Sequence, residues 1–365
     1  MKVLIKRAAA LFIAAAMAVT AFAGCGKDSG SKSANNSSAN SMFGILRQAQ
    51  ELEKKTFETT MEIDADGTMV ELTISGASDG NATEVDIKAS ASGMTFEFAD
   101  SLVFTDDILY INAGSIMEQL SPFLSAYITD ADDEISYMIQ TLQDDLGWIY
   151  LEAEGLFSSS NYDDIYDILD ESYADVIEKD GSGYKISLAD KEGLEAFLDA
   201  TVTMLKDNKN TFVNMYMDAF TKVDVESILN DFADELVDKM AELAGQEVTD
   251  EEKEALKQEI LADADFSELE VSESEVGAMI DEVVAEHEGT EVTEDIGGTV
   301  NVKVSKDGDS YVTAMDMDVE GDGEQAGASI KSTVTSDSSV SVEIPSDAKS
   351  IADVIVDLYA AAMEM

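Results

Sequence analysis

The spacing of apolar positions divides the chain into helical and strand-like stretches. Residues 42–56, MFGILRQAQELEKKT, place Ile45, Leu46, Ala49 and Leu52 on one side of a helical period and predict a short amphipathic helix. From Phe57 the period shortens to two. Phe57, Thr59, Met61 and Ile63 alternate with polar residues, the turn Asp64-Ala65-Asp66-Gly67 follows, and Val70, Leu72 and Ile74 resume the alternation. After Asp79-Gly80-Asn81 come Val85 and Ile87, then Met94, Phe96 and Phe98, then Leu102 to Phe104 and Ile108 to Ile111. Short Asp/Gly/Asn turns between alternating runs predict a meander of about five strands. Glu58, Glu62, Glu71, Asp86 and Glu97, interleaved with the apolar residues, leave one face of that meander in water.

The centre reads as helix. Ile116 to Ile128 and Ile135 to Leu142 carry helical spacing, whereas Trp148 to Leu151 (WIYL) reads as a lone strand. Asn161 is placed to cap a helix carrying Ile165, Ile168, Leu169, Tyr173 and Val176, and Tyr184 to Leu188 forms another strand after Asp180-Gly181. Asp190 caps a helix with Leu194, Phe197, Leu198 and Leu205, and Val225, Ile228, Leu229, Phe232, Leu236 and Met240 trace one stripe of a further one. Thr249 with Glu252, and Ser272 with Glu275, match the reciprocal capping box ahead of two more helices.

Period two returns with Val300, Val302 and Val304, the turn Lys306 to Asp309, then Tyr311, Thr313, Met315, Met317 and Val319. Further strands hold Ile330 and Val334, then Val340, Val342 and Ile344 up to Pro345, and a last helix starts near Ile351. Strands at both ends bracketing helices predict an α+β fold, with helices on one face of an antiparallel sheet. Residues 42–365 read as one such domain with a helical insert at about 190–288; a two-domain split is the alternative, though no linker-like stretch separates the parts.

What precedes residue 42 has a different composition. Met1, Lys2, Lys6 and Arg7 form a basic start, and an apolar run from Ala8 to Ala23 follows, the length of a signal-peptide core and short for a membrane span. Ala21-Phe22-Ala23-Gly24-Cys25 resembles a bacterial lipobox, with Phe22 where leucine is usual. The resemblance implies removal of residues 1–24 and acylation of the Cys25 sulfur, hence a membrane partner and a place on the outer face of the bacterial cytoplasmic membrane. The same residues also read as an A-x-A site, whose cleavage would release a secreted protein with a free thiol, and an uncleaved membrane anchor is a third reading. Residues 25–41 continue as GKDSGSKSANNSSANS after the cysteine, a flexible Gly/Ser/Asn linker able to hold a domain away from a membrane.

Composition sets further bounds. The apolar fraction of 45% is that of a globular protein, and one cysteine in 365 residues leaves no internal disulfide framework. Twenty-two basic against 77 acidic residues give a net charge of −55, which becomes −58 when the three basic residues Lys2, Lys6 and Arg7 leave with the leader. Such a surface repels nucleic acid and excludes DNA- and RNA-binding functions; its bland role is colloidal solubility.

The order of elements, together with Leu109-Tyr110-Ile111-Asn112 and Trp148-Ile149-Tyr150, resembles the lipoprotein-carrier superfamily. That group includes the periplasmic lipoprotein chaperone of Gram-negative bacteria and the mycobacterial lipid-transfer lipoproteins. The resemblance runs from Met42 to Pro345 and rests on pattern alone. It implies an antiparallel sheet curved as an open half-barrel, helices on its concave face, and an apolar cavity for acyl chains.

Little in the chain points to catalysis. The single histidine, His287, closes an amphipathic helix, where it favours the helix dipole. One His, at a helix end, and one Cys, in the lipobox, all but exclude Ser–His–Asp, Cys–His and His-based zinc sites, and no phosphate-binding, dinucleotide-binding or metalloprotease motif occurs. Seventy-seven acids make any carboxylate pair indistinguishable from its neighbours. Asp64, Asp66, Asp130, Asp132 and Asp133 do not fit a calcium loop and read as turn chemistry. We therefore expect a non-catalytic protein without metal or cofactor. Adaptable methionines and aromatics on the strands, Met61, Ile63, Phe96, Phe98, Met315 and Met317, are the candidate contacts for a hydrophobic or lipid-like ligand. A protein-interaction or sensor module on the cell surface is the alternative, and it calls for an exposed apolar patch rather than an enclosed cavity.

Overall fold

The alternating stretches from the two ends of the chain meet in one sheet. The computed structural model describes residues 41–65, 68–91, 93–127, 147–152, 163–221, 225–245, 249–261, 272–287, 297–321 and 324–364. The N-terminal meander is β1 (Lys55–Ala65), β2 (Thr68–Ser78), β3 (Thr83–Ala91), β4 (Met94–Phe104) and β5 (Ile108–Asn112), preceded by α1 (Met42–Gln50). Then come α2 (Ala113–Tyr127), β6 (Trp148–Glu152), α3 (Asp163–Ser172), β7 (Glu178–Asp180) and β8 (Gly183–Leu188). Five helices follow: α4 (Lys191–Asp207), α5 (Lys209–Thr221), α6 (Val225–Ala244), α7 (Asp250–Leu261) and α8 (Glu273–His287). The chain ends with β9 (Gly297–Asp307), β10 (Ser310–Gly321), β11 (Glu324–Ser336), β12 (Lys349–Ser350) and α9 (Ile351–Glu364).

The fold is mixed α+β. Its sheet has twelve strands in the order β12-β6-β5-β4-β3-β2-β1-β11-β10-β9-β8-β7, open at both ends, with nine helices among the described residues. Every pairing is antiparallel except β12 with β6. The seam lies at the centre, where β1 pairs with β11 from Lys55↔Ser336 to Ala65↔Ala326. Both outer strands are short, which limits the unpaired backbone an open sheet offers to other chains.

Alternation gives the sheet two unlike faces. The front carries Phe57, Ile186, Leu188, Val304, Tyr311, Met315, Ile330 and Val334, all buried in the main core. α1 lies over it and contributes Met42, Phe43, Ile45, Leu46 and Ala49, while α3 adds Tyr166, the turn after it Tyr173, and α4 Met204. Burying a large apolar side chain is worth about 1.5–3 kcal/mol, so α1 is held by packing far more than by the propensity of its nine residues. The back carries Glu58, Thr60, Glu62, Glu71, Thr73 and Lys88 at alternate positions, the wet face expected from the sequence.

The helix ends confirm the capping reading. Asp190 accepts the Gly193 N–H, Thr249 exchanges hydrogen bonds with Glu252, and Ser272 does so with Glu275. Of the run Ile116 to Ile128, residues 116–127 fall on α2, but Ile128, 135–142 and Asn161 lie outside the described residues. Trp148–Leu151 is not a lone strand: it pairs with β5 on one side and β12 on the other. Leu102–Phe104 is the continuation of β4, after a bulge at which Asp100 takes a positive φ of 48° and donates its N–H to Asp86.

Val340 and Val342 form no strand. Side chains and a turn intercept their backbone donors: the Val340 N–H goes to the Asp337 carbonyl and the Val342 N–H to the Asp79 carboxylate. Burial pushes the Asp79 carboxyl up, but the N–H groups of Asn81, Ala82 and Val342 and the Lys54 charge outweigh it and hold it below its usual range. The segment thus straps the back of the sheet, where Val340 and Val342 pack with Ala82, Val103, Tyr110 and Trp148.

Gly76 shows what the centre of the front face tolerates. It pairs with Phe57, and a Cβ at Gly76 would stand 2.0 Å from the Glu84 carbonyl oxygen and 2.7 Å from the Phe57 ring. The glycine lets the aromatic ring lie across the neighbouring strand. Gly76→Ala is expected to cost about 1–3 kcal/mol, as overpacking of a close-packed core does, read as a lower urea midpoint at unchanged slope.

Candidate functional site

The register of the sheet brings the sequence-nominated residues together. Met315, Ile330, Met61, Leu72, Ala89 and Phe96 stand opposite one another in a continuous row across β10, β11, β1, β2, β3 and β4. One step toward the hairpin ends, Met317, Ala328, Ile63, Val70, Ala91 and Met94 form a parallel row. One step the other way, Thr313, Ser332, Thr59, Ile74, Ile87 and Phe98 form a third. Met61, Ile63, Phe96, Phe98, Met315 and Met317 therefore share the front face, spread over about 24 Å at the usual strand spacing.

Their surroundings differ across the sheet. Met315 is 3% exposed and belongs to the core beneath α1. Met61, Ile63, Phe96, Phe98 and Met317 are half-buried, as are Leu72, Ile74, Ile87 and Ala89. At the hairpin ends the face opens to solvent: Val70 is 39% and Met94 48% exposed. The face thus runs from a packed half over β8–β11 to an apolar half over β2–β4 that is partly open.

A polar seam interrupts the third row. Thr59 Oγ1 donates to Ser332 Oγ at 2.9 Å, and Thr313 and Ser332 are buried beside it. The pair satisfies itself, so the seam adds no unmet polar demand under the core.

The start of α1 is held to α3 by charge and cap. Ser41 is the N-cap of α1, accepting the Gly44 N–H at 2.9 Å and donating its hydroxyl to Asp170 of α3. Asp170 also accepts the Phe43 N–H at 3.2 Å, which places a carboxylate at the positive end of α1. Burial raises the Asp170 carboxyl above its ordinary 3.8, aided by neighbouring Asp167 and opposed by those two donors. Arg47, in the last turn of α1, pairs with Glu51 and Asp167. Residues 25–40, Cys25 among them, lie outside the described residues.

Chemistry elsewhere is sparse. Among the described residues no three of His, Cys, Asp and Glu are grouped to hold a metal ion, and no helix is long and apolar enough to cross a membrane. His287 is the last residue of α8, as its spacing indicated. Of the five aspartates weighed for calcium, Asp64 is the penultimate residue of β1; Asp66, Asp130, Asp132 and Asp133 lie outside the described residues. Sequence reading placed Val70 and Leu72 on an apolar strand face without nominating them as ligand contacts, and it named neither Ala89 nor Asp170. Alternation signals an apolar strand face, but only pairing tells which strands share a row, and nothing local links Asp170 to Ser41 across 129 positions.

Because the folded state holds the Asp170 proton more tightly than the unfolded one, the stability from this group is full at low pH and is lost as pH rises through its raised pKa. Asp170→Asn is expected to remove that loss while keeping an acceptor for Ser41 and Phe43. The stability gap between wild type and variant, measured by urea titration across the acid range, should shift in the variant's favour as pH rises above the ordinary aspartate value.

No family model, curated protein or solved structure matches the chain.

Proposed function

We propose that this protein is a lipid-anchored extracytoplasmic lipoprotein that binds a hydrophobic, lipid-like ligand on the front of its sheet without catalysis. The observation that carries the reading is the register: three adjacent rows across β1–β4, β10 and β11 bring the methionines and phenylalanines together, half-buried over β2–β4. Methionine and phenylalanine conform to varied apolar shapes, and small residues at Ala89 and Ala91 leave room beside them. A twelve-stranded open sheet with α1, α3 and α4 on its front is compatible with a half-barrel whose helices line the concave side. The helices α4–α8, between the paired strands β8 and β9, then form an insert in that plan. The resemblance to the lipoprotein-carrier superfamily points the same way, and the lipobox with its linker supplies the anchor.

A second reading has its own support. Val70 and Met94 at the hairpin ends, and Leu256 and Ile260 on α7, are exposed apolar residues, as a protein-docking module would present.

Two measurements test the proposal. Metabolic labelling with an alkyne-tagged palmitate should mark the wild-type protein, and Cys25→Ser should abolish the mark. Native mass spectrometry of the protein purified from a bacterial host should show solvent-removable increments of lipid mass. Phe96→Glu with Phe98→Glu should lose them while remaining folded by circular dichroism. A clean apo mass for the wild type would turn the assignment toward the docking module.

A further inference from the structure

α7 is attached to the fold by charge and leaves its apolar residues outside. It is twelve residues long, and none of them is buried. Lys253 pairs with Asp238 of α6 and Lys257 with Asp234 at 2.6 Å, so the two helices run antiparallel with lysines facing aspartates. Such pairs near the surface contribute little to stability, and a helix of this length is marginal by itself in water. An amphipathic helix is ordinarily held by its apolar stripe. Here Leu256 and Ile260, four positions apart and therefore on one stripe, are 43% and 38% exposed. α8 gives the contrast. Its Met279 and Val283 are exposed as well, but Val276 and Val284 are buried, so its apolar residues already serve the fold.

The surroundings of the α7 stripe are acidic. At about 100° of turn per residue, Leu256 and Ile260 lie between Lys253 on the side of α6 and Glu252 and Glu259 on the other. The lysines on the inner margin are neutralised by Asp238 and Asp234, and the same register sets the exposed Asp231 of α6 level with Ile260. The result is a short apolar strip beside the α6 seam, with carboxylates along its outer margin and at its end.

Charge decides what fits there. A second copy would bring the same acids face to face, and an anionic membrane or nucleic acid is repelled by a chain of net charge −55. Apolar side chains at i and i+4 with a charged margin are the form in which one amphipathic helix meets another. We infer that α6 and α7 form a docking surface for a basic amphipathic helix of another protein, its apolar face covering Leu256 and Ile260 and its lysines or arginines meeting Glu252, Glu259 and Asp231. The surface uses none of the residues assigned to the lipid-like ligand and does not depend on that reading.

The test is fluorescence anisotropy with two labelled peptides of leucine and lysine, identical in composition. One has its leucines on a single helical face, and the other has them dispersed. Each is titrated into the full chain carrying Cys25→Ser at about 0.15 M salt, where long-range attraction is screened. The amphipathic peptide is expected to bind about tenfold more tightly than the dispersed one, the scale of two part-buried aliphatic side chains. Leu256→Ser with Ile260→Ser should remove that advantage and keep the wild-type melting temperature, since neither side chain is buried. Met279→Ser with Val283→Ser on α8 should bind both peptides as the wild type does. Equal binding of the two peptides by the wild type, an undiminished advantage or a lowered melting temperature in the α7 variant, or an equal loss in the α8 variant overturns the inference. A wild-type dimer in sedimentation that the α7 variant dissociates gives the surface to a second copy and overturns it too. Flotation with phosphatidylcholine vesicles that the same variant abolishes does so in favour of a membrane. The lipid-mass measurement above is untouched by any of these outcomes.

Discussion

The pairing of β1 with β11 is the constraint on which the rest depends. It joins residues some 270 positions apart, Lys55↔Ser336 through Ala65↔Ala326, and turns two separate meanders into one sheet. Closing so long a loop is entropically unfavourable, and the return must come from non-local burial. α1 supplies much of it: six of its nine residues are buried, against β8, β9 and β10 and against α3. Each part is weak alone. A nine-residue helix does not hold in water by itself, and an open sheet with one wet face needs its other face covered.

That arrangement explains why the two halves of the front face differ. Over β8–β11, α1, α3 and α4 press on aliphatic strand residues, and Met315, Ile330 and Val304 are shut away. Over β2–β4 the same rows continue with Leu72, Ala89 and Phe96, yet those residues are only half-buried. One sheet thus serves as scaffold on one side and as apolar platform on the other. Gly76 marks the border, where a ring from β1 lies over a strand that has no side chain to oppose it.

The acidity of the chain meets the structure mainly at its surface. Its lysines are largely spent on local pairs, such as Lys209 with Asp281, Lys239 with Asp353 and Lys257 with Asp234. Pairs of this kind near the surface contribute little to stability. The Lys239 hydrogen bond keeps the Asp353 carboxyl below its usual range and ties α6 to the start of α9. The carboxylates left over serve solubility.

Local chemistry alone decided a good deal. Period-two alternation located the strands of both meanders, and Asp190, the Thr249–Glu252 pair and the Ser272–Glu275 pair marked three helix starts, because caps and alternation act over a few residues. Locally, too, Met61, Ile63, Phe96 and Phe98 belonged to apolar strand faces. Val340 and Val342 misled for the same reason: they alternate like a strand, but Asp79 and Asp337, one of them more than 250 positions away, take their backbone donors. Strand order, the β1–β11 seam, the three rows, and the meeting of Ser41 with Asp170 were decided only by tertiary structure. Which apolar face is covered and which stays open is a property of pairing and packing between distant segments, and no window of sequence contains it.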